Sequence, residues 1–129
     1  MKARVLLVDD ERDFLDIMAE RIRARGMDVT TATSAEEAAK MVEMGSYDTV
    51  IMDFMMPAMD GFKALKLLKD IQPEIQVILL TGDATADKCS EALRLGALDV
   101  IEKPADLSLL IQKIKDAKAR KPNPATCNS

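Results

Sequence analysis

The sequence predicts an α/β fold in which helices cover both faces of a parallel β-sheet. Short apolar runs rich in β-branched residues alternate with segments of helical spacing five times along the chain. Three of these runs are almost continuously apolar, which is typical of strands buried on both sides. Strands that alternate with helices pair in parallel through right-handed crossovers, so the pattern favours five β–α units in one sheet.

The elements follow one another in the order that this fold requires. The predicted strands lie at residues 5–8, around Val29, and at residues 50–52, 77–80 and 100–101. Four predicted helices carry apolar residues at helical spacing, namely Leu15, Met18 and Ile22; Ala35, Ala38, Ala39 and Val42; Gly61, Ala64, Leu65 and Leu68; and Leu107, Leu110, Ile111 and Ile114. A fifth, weaker helical pattern covers residues 85–95.

Local signals mark several helix ends. Ser34 followed by Glu37 forms a capping box that opens the second helix. Gly26, Gly45 and Gly96 stand where helix C-termini favour a residue in the left-handed conformation. The last ten residues are rich in turn formers. We therefore expect one folded domain over residues 1–119 and a flexible C-terminal tail over residues 120–129.

Composition excludes several classes of protein. The chain has 129 residues, which suits one domain, and a net charge of −4, which argues against direct nucleic-acid binding. It has no histidine, so Ser-His-Asp and Cys-His catalysis and His-ligated zinc sites are excluded. No apolar run approaches the ~20 residues that span a bilayer, and no signal-peptide pattern is present. We expect a cytoplasmic protein that does not act at a membrane.

Reactive side chains stand at the ends of four predicted strands. Asp9 and Asp10 follow the first strand, Asp53 the third, Thr81 the fourth and Lys103 the fifth. Each also has an ordinary alternative role, as a helix cap, a turn residue, a strand-end hydroxyl or a solvated lysine. In open parallel sheets, however, ligands bind at the carboxyl ends of the strands. Because all of these residues lie at that edge, we expect them to form one site.

Three carboxylates in one cleft require a compensating cation. Two carboxylates ~4 Å apart repel each other by roughly 4 kcal/mol at an effective dielectric near 20. Oxygen ligands without histidine or cysteine select a hard ion, and Mg²⁺ binds a few carboxylates while keeping positions for phosphoryl oxygens. With Lys103 and Thr81 alongside, such a site would neutralise and position a phosphoryl group.

Asp53 is the expected acceptor of that phosphoryl group. It is a lone acid at a strand end, whereas Asp9 and Asp10 are adjacent, and an adjacent pair suits metal binding better. An aspartate nucleophile forms an acyl phosphate in known enzymes. The residues themselves therefore predict a Mg²⁺-dependent phosphorylation of Asp53.

In these features the sequence resembles the receiver domain of two-component response regulators, such as the chemotaxis regulators. The resemblance covers residues 3–119. It rests on an ordered set of motifs, namely Leu6-Leu7-Val8-Asp9-Asp10, Asp53, Met56-Pro57, Met59-Asp60-Gly61, Thr81 and Lys103-Pro104. It implies a doubly wound (βα)5 flavodoxin-like three-layer sandwich, whose five-stranded parallel sheet has the strand order 2-1-3-4-5.

The resemblance also implies a role for each site residue. Asp53 would accept the phosphoryl group, and Thr81 and Lys103 would be the other catalytic residues, which hold the phosphoryl oxygens. The ligands of Mg²⁺ would be Asp9, mainly through water, Asp10, Asp53 and the backbone carbonyl of Met55. The peptide bond before Pro104 would be cis.

By the same resemblance, the phosphoryl donor would be a histidine on a sensor histidine kinase or on a histidine phosphotransfer protein. The chain has no histidine and cannot supply that group itself. The domain would be a switch rather than an enzyme, because it would catalyse only its own phosphorylation and dephosphorylation. It would then signal to a downstream protein or output domain that the sequence does not define, and a homodimer is left open.

Three positions depart from the family pattern. Val100 stands where receivers usually carry Tyr or Phe, three residues before the lysine. Ala105 replaces the usual Phe after Lys-Pro, and Gly82 replaces the frequent Ala after the threonine. Either the inward swing of an aromatic ring behind Thr81 does not take place in this chain, or a smaller residue performs that motion.

Two other functions fit parts of the pattern. A phosphohydrolase of the haloacid dehalogenase type also uses an aspartate nucleophile, Mg²⁺, threonine and lysine. That enzyme needs a second aspartate two residues after the nucleophile, where Met55 stands here. A nucleotide-binding module would need a GxxxxGK[ST] or GxGxxG motif, and neither occurs. Both functions therefore rank below the phosphorylated switch.

Overall fold

The computed structural model describes residues 2–57 and 59–119, and the predicted tail over residues 120–129 lies outside them. In chain order the elements are β1 (Arg4–Val8), α1 (Arg12–Arg23), β2 (Asp28–Ala32), α2 (Ala35–Met44), β3 (Thr49–Asp53), β4 (Met55–Met56), β5 (Met59–Asp60), α3 (Gly61–Ile71), β6 (Val77–Thr81), α4 (Ala86–Arg94), β7 (Asp99–Glu102) and α5 (Leu107–Ala119). Over the described residues, no helix combines the length and apolar character needed to span a bilayer.

Five of the strands form one parallel sheet in the order β2-β1-β3-β6-β7. This order confirms the predicted 2-1-3-4-5 arrangement once β4 and β5, which form a separate antiparallel hairpin, are set aside. The order reverses at β1, which pairs with β2 on one side and with β3 on the other. In doubly wound sheets this reversal opens a crevice at the carboxyl ends of the strands.

The sheet is buried on both faces, because successive side chains of a strand point to opposite sides. On β1, Leu6 and Val8 belong to the core formed with α2, α3 and α4. Val5 and Leu7 belong to the core formed with α1 and α5. The predicted three-layer sandwich is therefore confirmed, and two-sided burial explains the continuous apolar runs in the sequence.

Side-chain caps begin three of the helices. The side chains of Ser34, Asp60 and Thr85 each accept the backbone N–H of the residue three positions later. The predicted capping box at α2 differs in one hydrogen bond. Oε1 of Glu37 accepts the N–H of Thr33 at 2.7 Å rather than the N–H of the cap residue Ser34. These caps fix where α2, α3 and α4 start, and hence the length of each loop at the carboxyl edge of the sheet.

The predicted left-handed glycines are confirmed at two positions and wrong at one. Gly26 and Gly96 have φ of +87° and +102°, where a side chain would be strained. Gly45 has φ of −150°, so the chain leaves α2 in an extended conformation that any residue could adopt. The β4–β5 hairpin was not predicted, because strands of two residues carry no periodic pattern.

Candidate functional site

The acidic pair after β1 is divided between the interior and the surface. Asp9 is 1% exposed, and its Oδ1 accepts the N–H of Glu11 at 2.9 Å. The backbone N–H of Asp9 donates to the carbonyl of Ala32 at 3.1 Å, which extends the β1–β2 pairing by one residue. Asp10 is exposed. The first acid is therefore fixed by the sheet, while the second faces solvent at the mouth of the site.

Asp53, the last residue of β3, completes an acidic cluster with this pair. One carboxylate oxygen from each of Asp9, Asp10 and Asp53 lies within 4.8 Å of the other two. The donors are all oxygens, and one of the three acids is open to solvent, as a hard divalent ion requires. The residues present therefore fit a hard divalent cation.

Lys103, which follows β7, lies opposite the acids. Its Nζ is 3.1 Å from Oδ1 of Asp53 and 3.3 Å from Oδ2 of Asp9. The ammonium also lies 4.9 Å from the centre of the Phe14 ring on α1, close enough for a cation–π contact. The backbone N–H of Lys103 donates to the carbonyl of Thr81 at 2.7 Å, and the Lys103–Pro104 bond is cis, as the resemblance implied. The hydrogen bond to Thr81 fixes the backbone of Lys103 at the end of the sheet.

Burial and ion pairing shift the pKa of Asp53, and likewise that of Lys103, in opposite directions. Burial raises the pKa of Asp53 above its ordinary value, although Lys103 and the backbone N–H of Met55 oppose the rise. Burial alone would lower the pKa of Lys103, but Asp53 and Asp9 outweigh it and raise that pKa. Lys103 is thus held as a cation, while Asp53 is a carboxylate whose charge the surrounding protein incompletely compensates.

Met55 contributes backbone rather than side chain to the site. Its side chain is among the exposed large apolar groups, and the residue is 69% exposed. Its N–H donates to the Asp53 carboxylate. Met55 pairs with Asp60 in the β4–β5 hairpin, which holds the loop directly after Asp53.

Thr81 ends β6 next to these residues and is 1% exposed. Asp53 is opposite Leu80 in the sheet, so Thr81 lies one position beyond that pair, and it is itself opposite Glu102. Its Oγ1 accepts the N–H of Asp83 at 3.2 Å. The structure therefore brings every predicted site residue to one edge of the sheet.

Two residues of the site were missed from the sequence. The ammonium of Lys88, in the first turn of α4, donates to Oγ1 of Thr81 at 3.1 Å and to the carbonyl of Asp83 at 2.8 Å. Glu102 accepts the N–H of Ala84 at 3.2 Å and so restrains the same loop. No pattern in the sequence indicated the contact of Lys88 with Thr81.

The doubly wound fold and the acidic pocket at its strand ends together define a class of signalling domain. Such a pocket suits phosphate chemistry rather than nucleotide binding. The family model for the response regulator receiver domain matches residues 5–115, and the chain belongs to this family. Receiver domains are phosphoacceptor switches, so membership favours the switch hypothesis over the phosphohydrolase.

Individual proteins agree with this assignment. Over 116 residues the chain is 37% identical to response regulator SaeR of Staphylococcus epidermidis; the match covers 90% of this chain and 50% of SaeR. The chain therefore spans about half the length of that curated relative.

Solved structures give the same fold. A response regulator receiver domain protein from Clostridium thermocellum has a TM-score of 0.85 and 33% identity, over 92% of this chain and 96% of that chain. The beryllofluoride-activated NtrC4 receiver domain dimer has a TM-score of 0.84 and 29% identity, over 91% of this chain and 97% of that chain.

Proposed function

We propose that Asp53 accepts a phosphoryl group from a phosphohistidine and that the domain then changes its affinity for a partner. The observation that carries this function is the position of Lys103, whose ammonium contacts Asp53 at 3.1 Å and Asp9 at 3.3 Å. A fixed positive charge next to the acceptor is what phosphoryl transfer needs, because charge on the phosphoryl oxygens must be neutralised as the group moves.

The reaction is a displacement at phosphorus. A carboxylate oxygen of Asp53 attacks the phosphorus, the P–N bond to the donor imidazole breaks, and the leaving nitrogen keeps the bonding electrons. The product is an acyl phosphate on Asp53. The Lys103 ammonium and the Thr81 hydroxyl would donate to the phosphoryl oxygens, since Lys103 contacts Asp53 and Thr81 follows Leu80, the residue paired with Asp53 in the sheet.

We propose Mg²⁺ as the divalent ion of the acidic cluster. Asp9, Asp10 and Asp53 and the backbone carbonyl of Met55 would hold it. When bound, the ion supplies positive charge that offsets both the three carboxylates and the phosphoryl oxygens. Asp10 is exposed and provides the open side from which the ion and the phosphoryl group enter.

The donor would approach along a groove beside Lys103. The groove has a volume of about 470 Å³, and it is lined by Lys103 together with Glu11, Phe14, Met18, Arg21, Pro104 and Ala105. The small side chain of Ala105 takes up less of this groove than a Phe would. The proposed partner is a histidine kinase or histidine phosphotransfer protein that inserts its phosphohistidine next to this groove.

The extent of the domain, its own catalysis, its location and its partners are proposed from its membership of the receiver family. Residues 1–119 would form the receiver unit, which would catalyse only its own phosphorylation and the hydrolysis of its acyl phosphate. The domain would act in the cytoplasm, where phosphoryl donors charged by ATP are found, and would signal to an output domain or a separate protein. A homodimer is a further partner, which the activated dimer of the NtrC4 receiver domain supports.

Phosphorylation is tested with acetyl phosphate and Mg²⁺, followed by intact-mass measurement. We expect one phosphoryl adduct that is lost slowly, no adduct in Asp53→Asn, and an adduct in Asp70→Asn, which changes an exposed aspartate of α3. Lys103→Met should slow adduct formation on the order of a hundredfold, as loss of a charge-stabilising donor does. Rapid turnover of small phosphate esters without an adduct would contradict the switch function.

A further inference from the structure

The ammonium of Lys88 connects the first turn of α4 to the end of β6. Its Nζ lies 3.1 Å from Oγ1 of Thr81, 2.8 Å from the carbonyl of Asp83 and 4.6 Å from the centre of the Phe54 ring. Within the described residues, no carboxylate lies within 4.0 Å of this Nζ. Lys88 therefore brings a positive charge with no carboxylate partner to the edge of the phosphoryl site.

Lys88 also determines what the Thr81 hydroxyl can do. A threonine hydroxyl has two lone pairs and one hydrogen. The N–H of Asp83 at 3.2 Å and the ammonium of Lys88 at 3.1 Å use both lone pairs. Among the residues that the structure describes, the hydrogen has only the Asp83 carbonyl at 3.5 Å as an acceptor, a distance at which a hydrogen bond is weak. Thr81 is thus prepared to donate its hydrogen to a stronger acceptor.

We propose that Lys88 is a positioning residue, which fixes Thr81 as a donor to the phosphoryl group on Asp53 and transmits its arrival to α4. This role rests on the proposed function. A phosphoryl oxygen that accepts the Thr81 hydrogen would draw Thr81 toward Asp53, and Lys88 must move with Thr81 or lose its bond. Because the N–H of Lys88 is bound to the cap residue Thr85 at 3.2 Å, that movement acts directly on the start of α4.

The position of Lys88 suits a chain that lacks the usual aromatic residue on β7. Val100 is 0% exposed and packs in the same core as Phe54, so it has no polar group to offer Thr81. Among the described residues, Lys88 is the one side chain of α4 with a hydrogen bond to Thr81. The ordinary alternative is that Lys88 only stabilises the loop over residues 82–85, with no effect on the phosphoryl site.

The variant Lys88→Met separates these roles, since methionine keeps an apolar stem beside Phe54 but removes the donors and the charge. Lys88→Arg keeps the hydrogen-bond donors and the positive charge. Lys40→Met removes an exposed lysine from α2 and is the matched control. With acetyl phosphate and Mg²⁺, we expect Lys88→Met to form its adduct about threefold to tenfold more slowly, the net effect of one typical hydrogen bond. Lys88→Arg should recover most of the rate, and Lys40→Met should match wild type.

Amide exchange supplies a readout that loop stability alone would not move. Beryllofluoride with Mg²⁺ should change exchange over residues 86–94 in wild type and in Lys40→Met but leave it unchanged in Lys88→Met. Thr81→Val adds a second, independent test, because Lys88 acts through the Thr81 hydroxyl. In the Thr81→Val background, Lys88→Met should have no further effect on the rate of adduct formation. If Lys88 and Thr81 acted independently, the fold-change of the double variant would be the product of the two single fold-changes.

The two proposals fail in different ways. No adduct on the wild-type chain would overturn the phosphoryl function and this role of Lys88 with it. An adduct on wild type, with Lys88→Met equal to Lys40→Met in rate and in amide exchange, would overturn the role of Lys88 alone. The role of Lys88 would also be overturned if Lys88→Met slowed adduct formation as much in the Thr81→Val background as in wild type.

Discussion

The Nζ of Lys113 on α5 lies 2.9 Å from Oδ2 of Asp99, the first residue of β7, and the Asp99 side chain is 0% exposed. Oδ1 of Asp99 accepts the N–H of Val100 at 2.8 Å. This ion pair joins α5 to the strand that ends beside Lys103. Because a buried carboxylate is costly when its cation is removed, this pair stabilises the packing of α5 against β7.

Lys113→Met should therefore destabilise the domain strongly. We expect the free energy of unfolding in urea to fall by about 3 kcal/mol, the effect of breaking a buried pair from one side. Lys115→Met changes an exposed lysine of the same helix and should shift stability by less than about 0.5 kcal/mol. Adding Asp99→Asn to Lys113→Met should recover part of the loss. Equal stability of the two single lysine variants would contradict this account.

Gly61→Ala should disturb the loop after the acceptor. A Cβ at Gly61, the first residue of α3, would overlap the ring of Phe54, which packs edge-to-face on Phe62 with ring centres 4.9 Å apart. We expect a loss of about 1–3 kcal/mol in urea unfolding, as for other overpacked sites. Gly82→Ala is the matched control, since its Cβ would meet nothing within 4 Å. A neutral Gly61→Ala would mean that the Phe54 ring can move aside.

Mg²⁺ should stabilise the fold through the acidic cluster. An ion that binds only the folded state at a free concentration a hundredfold above its Kd stabilises it by about 2.7 kcal/mol. Asp10→Ala should lose most of this effect in thermal melts with and without Mg²⁺, because an exposed ligand of the cluster is removed. Asp16→Ala, an exposed aspartate on α1, should keep it. The same Mg²⁺ shift in both variants would refute the metal assignment.

Asp53→Asn should stabilise the metal-free protein at neutral pH. Burial raises the pKa of Asp53 in the fold, so the folded state binds a proton more readily than the unfolded state. The ionised carboxylate therefore destabilises the fold above its folded-state pKa, and this penalty disappears as pH falls through that pKa toward the ordinary value of 3.8. We expect Asp53→Asn to have the higher free energy of unfolding at pH 7, measured by urea unfolding in EDTA.

The pH dependence distinguishes this cause from a general effect of the amide. In EDTA, the difference in the free energy of unfolding between Asp53→Asn and wild type should shrink steadily as pH is lowered toward 4. A difference that stays constant over that range would show that the ionised carboxylate is not responsible.

Local patterns were sufficient to predict the fold. The five apolar runs and the helical spacings depend on short-range periodicity, and each reports which side of a strand or helix is buried. Boundaries that depend on more distant contacts were less predictable. Gly45 leaves α2 in an extended conformation, and the β4–β5 hairpin is too short to show a period.

The sequence by itself also determined that the residues predicted at the strand ends lie at one edge of the sheet. Asp9 and Lys103 are 94 positions apart, yet the rule for strand ends in parallel sheets was enough to predict that they converge. Their convergence depends only on the order and direction of the strands, which periodicity reveals.

Only the tertiary structure decided how the site is held and charged. It buries Asp9 and exposes Asp10, pairs Asp99 with Lys113, and directs Lys88 back onto Thr81. Each of these relationships depends on the path of a loop or the distance between two layers to within about 1 Å, because hydrogen bonds weaken steeply beyond ~3.2 Å. Periodicity in the sequence sets the direction of a side chain but not such a distance.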